Sequence, residues 1–82
     1  MIVLNGDRMD SRAAIHAELK QKLSLPDYYG GNLDALNDCL GERAGLEPVV
    51  IQHSADFLGA CGEYAARVLR VFCDNGVKVL LD

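Results

Sequence analysis

An 82-residue chain can build one small hydrophobic core but not two, so a single domain over residues 1–82 is expected. Half of its residues are hydrophobic and 24% are charged, a globular balance that excludes a disordered chain. A net charge of −4 argues against direct nucleic-acid binding, which needs clustered Lys and Arg.

Met1 to Leu4 is an apolar run closed by the turn dipeptide Asn5-Gly6, and it predicts a first strand. The run is far too short for a signal peptide or a membrane span, so no membrane association is expected. Ser11 can cap a helix whose apolar positions Ile15, Leu19 and Leu23 recur every four residues and which ends before Pro26. A loop from Leu25 to Gly31 follows. Asn32 can cap a second helix, with Leu33, Leu36 and Leu40 facing inward and Gly41 near its end.

Pro48-Val49-Val50-Ile51 is continuously apolar, as in a strand buried on both faces. After Ser54-Ala55-Asp56 the pattern predicts a short helical turn holding Phe57 and Leu58. A longer helix spans Gly62 to Asp74 and buries Ala65, Val68, Leu69 and Phe72. Asn75-Gly76 stops it, and Val77 to Leu81 forms a third strand. Strands separated by helices pair in parallel through right-handed crossovers. The expected fold class is therefore α/β, a small three-stranded parallel sheet with packed helices.

The charge is unevenly placed. Between Ser24 and Glu47 stand five acids (Asp27, Asp34, Asp38, Glu42, Glu47) and one base (Arg43), which account for the whole imbalance. Such a local acidic field favours a basic partner. Asp34 and Asp38 are four apart, so on a helix they share one face and repel by a few tenths of a kcal/mol, roughly. Asp34, in the first turn, complements the helix dipole; Asp38, near the far end, has no such compensation. Of the neighbouring Tyr28 and Tyr29, one ring is expected to plug the core and the other to lie exposed as rigid contact surface. Gly30 and Gly31 suit a tight bend and close approach of a partner, and no phosphate-loop pattern follows them.

No nucleophile–base–orienter set is visible, so enzymatic activity is not expected. His16 is expected at the surface or partly packed, His53 at the end of the second strand, and neither has a partner identifiable from sequence. Cys39, Cys61 and Cys73 lack metal-ligand spacing; buried thiols in a reducing cytoplasm are expected, with no metal and no cofactor.

The stretch LPDYYGGNLDALNDCL, Leu25 to Leu40, resembles the barstar family of intracellular ribonuclease inhibitors. Weaker similarity covers Ile2 to Gly6, the helix from Ser11, Pro48 to Ile51, and Val68 to Phe72. The resemblance implies a three-stranded parallel sheet with packed helices. It also implies an inhibitor that inserts its second helix and the preceding loop into the active site of a basic extracellular or toxin-like ribonuclease. Asp38 would take the place of a substrate phosphate, surrounded by Tyr28, Tyr29, Gly30, Asn32 and Asp34. Asp74 falls where the family has a peripheral glutamate.

Three departures touch the contact rim. Asn37 stands where the best-known member has tryptophan; the segment Gly41 to Glu47 is one residue longer and lacks an aromatic; and the stretch between Phe72 and the last strand is shorter. They bear on which enzyme the rim fits: the family attribution survives them, and the identity of the target does not. An interaction or immunity module that binds a basic non-ribonuclease toxin or regulatory protein through the same face is the alternative.

Overall fold

A computed structural model describes residues 1–43 and 46–82. Its elements are β1 (Ile2–Asn5), α1 (Arg12–Lys22), α2 (Leu33–Gly41), β2 (Val49–Gln52), α3 (Ser54–Cys61), α4 (Glu63–Asp74) and β3 (Val79–Leu81), with a 3₁₀ turn at Gly6–Arg8. The strands lie in the order β1-β2-β3 and are all parallel. Ile2 pairs with Val49 and Val49 with Val79, so the expected three-stranded parallel α/β sheet is present.

Two successive right-handed crossovers that advance in the same direction deliver their helices to the same face of the sheet. That face carries Leu4, Val49 and Ile51, all fully buried. The opposite face presents the cross-strand row Val3, Val50 and Leu80; Val3 and Leu80 are exposed and Val50 is half-buried. The expectation that β2 is covered on both faces is thus corrected: with three strands wound one way, none of the helices among the described residues covers the second face.

The helix ends follow local chemistry. Ser11 Oγ accepts the Ala14 N–H at 3.1 Å, and Asn32 Oδ1 accepts the Ala35 N–H at 2.8 Å, so both expected N-caps form. At the end of α1 the Leu25 N–H reaches the Lys20 carbonyl and the Ser24 N–H the Gln21 carbonyl, with Ser24 in the left-handed region. This is a Schellman closure, and it buries Leu25. The same pair of bonds closes α4: Val77 N–H to Phe72 and Gly76 N–H to Cys73, with Gly76 at φ 73°. Val77 therefore seals the helix by packing with Phe72, and β3 begins at Val79 instead of at Val77 as expected.

The short turn expected around Phe57 is a full helix, α3. It starts directly from β2 because His53 adopts a left-handed conformation, φ 53°. Ser54 then donates both its N–H and its Oγ–H to the Asp82 carbonyl, which fixes α3 to the end of β3. Phe57 and Phe72 are the largest fully buried side chains, and the helix layer closes around them over the sheet. Among the described residues, no helix is long and apolar enough to cross a membrane.

Candidate functional site

Loop 25–31 and α2 meet in a cleft of about 320 Å³ lined by Tyr28, Tyr29, Gly30, Ala35, Asp38, Cys39 and Glu42. The amphipathic spacing of α2 drives Leu36 and Leu40 into the core, and this turns Asp34, Asn37 and Asp38 outward. Of the residues singled out from sequence, Tyr28, Tyr29, Gly30 and Asp38 therefore share one concavity. Asp34 is exposed one turn before Asp38 but does not line the cleft. Asn32 lies at the helix start, where its Oδ1 is occupied by the cap.

Asn37 and Asp74 lie to the other side. Asn75, which follows Asp74 at the end of α4, donates from Nδ2 to both the Val71 carbonyl and Asn37 Oδ1, each at 2.9 Å. A carbonyl can only accept, so the amide orientation of Asn75 is fixed, and with it that of Asn37. Its free NH₂ is left exposed beside Asp38. Asp74 faces solvent, 3.9 Å from Arg70.

Tyr28 is 82% exposed, whereas Tyr29 is half-buried against the core, which decides the roles that sequence left open between them. Among the described residues no cation pairs with Asp34, Asp38 or Glu42. The one base of the acidic segment is engaged elsewhere: Arg43 donates to the Leu23 carbonyl and, at 2.8 Å, to the Ser24 carbonyl. It satisfies the C-terminal end of α1 and leaves the acidic face uncompensated. Glu42, absent from the residues singled out by sequence, joins Asp34 and Asp38 in an i, i+4, i+8 stripe. That spacing was the available signal. Ala44 and Gly45 of the lengthened segment lie outside the described residues.

His16 departs most from expectation. It is 4% exposed, with Nδ1 at 2.5 Å from Tyr29 Oη and Nε2 at 2.5 Å from Tyr64 Oη. A neutral imidazole offers one donor and one acceptor, so one phenol donates to the ring while the other accepts from it. Burial holds the His16 pKa below its ordinary value, and burial, with Cys39 and Tyr64 nearby, raises that of the Tyr29 phenol. Nothing local in the sequence marks this group, because Tyr64 stands 48 positions from His16. The thiols also differ from expectation: Cys73 is exposed and Cys39 and Cys61 are only half-buried, all three free. Among the described residues no cluster of three His, Cys, Asp or Glu side chains could hold a metal ion.

The buried imidazole makes stability depend on pH. Unfolded His16 takes up a proton near its ordinary pKa of 6.5, while the folded protein resists it. Stability is therefore complete above about pH 6.5 and declines as the pH falls below it, by up to about 1.4 kcal/mol per pH unit. Urea unfolding of the native protein and of His16→Gln at about pH 7.5 and about pH 5 checks this. The decline is expected to shrink in the variant, and an equal decline in both would remove His16 as its source.

The family model described as Barstar (barnase inhibitor) matches residues 1–78. A Bacillus subtilis (strain 168) protein named "Putative ribonuclease inhibitor YrdF" is 39% identical over 71 residues, spanning 85% of this chain and 78% of the relative. Together with the one-sided parallel sheet and its helix order, a match of this extent means that the chain belongs to the barstar family of barnase inhibitors.

Proposed function

We propose that this protein, acting as one domain over residues 1–82, is a cytoplasmic inhibitor of a basic, secreted or toxin-like ribonuclease of the barnase type. It blocks the enzyme's active site with α2 and the Tyr28–Gly31 loop. The observation that carries this is Asp38: an exposed carboxylate without a cation partner among the described residues, on the wall of a cleft that also holds both loop tyrosines. A site built to bind a phosphate with Arg, Lys and His side chains accepts such a carboxylate through charge-assisted hydrogen bonds. Tyr28 supplies exposed aromatic area, Tyr29 and Gly30 shape the cleft wall, and Asp34, Glu42 and Asp74 extend the field that steers a basic enzyme inward. Asn32 and Asn37 present amide N–H groups at the rim. Occlusion of this kind needs no cofactor and no bond chemistry in the inhibitor.

The test is to titrate the purified protein into a barnase-type ribonuclease and follow RNA cleavage. Stoichiometric loss of cleavage is expected. No loss at micromolar inhibitor would move the target to another basic protein bound through the same face.

A further inference from the structure

The cleft and a second concavity meet through one buried side chain. The second concavity, about 310 Å³, is lined by Asp10, Arg12, Cys61, Glu63, Tyr64 and Arg67 among others, and shares no residue with the first. Tyr64 belongs to it and does not line the cleft. Yet Tyr64 Oη bonds His16 Nε2, and on the far edge of the same imidazole His16 Nδ1 bonds Tyr29 Oη. We propose that Tyr64 is a positioning residue for the target-binding loop, acting on Tyr29 through His16. The benefit to a target rests on the inhibitor function proposed above; the mechanical link does not.

The loop has few other restraints. Among the described residues its one internal backbone hydrogen bond runs from the Tyr29 N–H to the Pro26 carbonyl, 2.9 Å. Two glycines follow, the second at φ 68° and so close to His16 that a Cβ built on it would lie 4.0 Å from His16 Cβ. His16 holds the loop through the Tyr29 hydroxyl.

An imidazole bonded on one edge only can turn about its side-chain torsion at the cost of a single bond. Held on both edges it cannot turn without breaking two, and that double restraint is what Tyr64 supplies. Tyr64 is itself fixed, on the first turn of α4 and with the Arg12 guanidinium 4.6 Å above its ring. The ring contacts agree: the imidazole lies 5.7 Å from Tyr29 and 5.9 Å from Tyr64, centroid to centroid.

Tyr64→Phe keeps the ring under Arg12 and removes only the hydroxyl. Amide exchange of the Tyr29 N–H is expected to accelerate about fivefold to tenfold, the equivalent of one lost hydrogen bond, while β2 amides change little. Tyr29→Phe, which removes the loop's own bond to His16, should accelerate it at least as much, and adding Tyr64→Phe to that variant should change nothing further, since both cut one chain. His16→Leu, which removes both bonds together, is the second variant and should match the double. Uniform acceleration throughout the protein, additive effects, or an unchanged loop would each overturn the proposal. With a ribonuclease that the native protein inhibits, the Tyr64→Phe complex should dissociate about fivefold faster; unchanged dissociation beside a loosened loop would show that target binding does not use this link. If the native protein inhibits no ribonuclease, the inhibitor function falls, and the exchange experiment alone still decides whether Tyr64 holds the loop.

Discussion

Asp38→Ala is expected to weaken binding to a barnase-type ribonuclease by about 4 kcal/mol, roughly a thousandfold, without weakening the fold. That magnitude is the general one for truncating one partner of a buried, hydrogen-bonded charge pair. In the free protein Asp38 makes no side-chain hydrogen bond or ion pair among the described residues, so alanine breaks nothing internal. It also relieves repulsion from Asp34 and Glu42, each four positions away, and removes an acid from the end of α2 where the helix dipole disfavours it. Thermal stability should hold or rise slightly, by about 0.5 kcal/mol at most. A residue kept for folding cannot show that combination. The measurement is the inhibition titration beside a melting curve of each variant. Retained potency would exclude Asp38 as the phosphate mimic, and lost potency with a lowered melting point would return it to a structural role. Asp34→Ala and Tyr28→Ala should cost less, since Asp34 stands outside the cleft and Tyr28 carries no charge.

How much of this was legible in the sequence depended on the range of the interaction concerned. The caps Ser11 and Asn32, the apolar stripe of α4 and the parallel sheet are set by residues within a few positions or by the strand–helix alternation, and the pattern alone found them. The outward face of α2 followed from Leu36 and Leu40 pointing inward. What escaped depends on distant partners. His16 resembles a surface residue until Tyr29 and Tyr64 arrive on either side of it. Val77 looks like the start of a strand until the α4 closure takes it, because β-propensity cannot register a helix-sealing role. Which tyrosine is exposed was undecidable, since the two are adjacent and only the position of His16 beneath the loop separates them. Glu42 is the opposite case: its spacing of four from Asp38 is legible in the sequence, but that it shares the cleft with the two tyrosines depends on how the loop folds back on α2.

Gly6→Ala is expected to be the most destabilising Gly→Ala change among the described residues, lowering stability by about 3 kcal/mol. Asn5-Gly6 reads as a turn, and a turn glycine is usually needed for positive φ. Gly6 is not among the positive-φ residues of this fold. Its requirement is proximity instead. A Cβ built on it would overlap the Gln52 carbonyl oxygen and lie 2.6 Å from the His53 carbonyl oxygen. Both obstacles are backbone, so no rotamer change can make room. The chain at that point turns from β2 into α3 through the left-handed His53, and the 3₁₀ turn after β1 is packed directly on this corner. Pushing the corner away would disturb the Asn5–Gln52 end of the sheet and, through Ser54 and Asp82, the end of β3. For a domain of this size a loss of about 3 kcal/mol corresponds to a melting point lower by roughly 12–24 °C. Scanning calorimetry of Gly6→Ala beside Gly59→Ala makes the comparison, because a Cβ on Gly59 meets nothing within 4 Å and helix propensity favours alanine there. The first should melt far below the native protein and the second at or above it. If Gly6→Ala melted with the native protein, the tight β2–α3 corner would have to yield without cost, and the packing of the 3₁₀ turn on it would not be what holds the strand ends together.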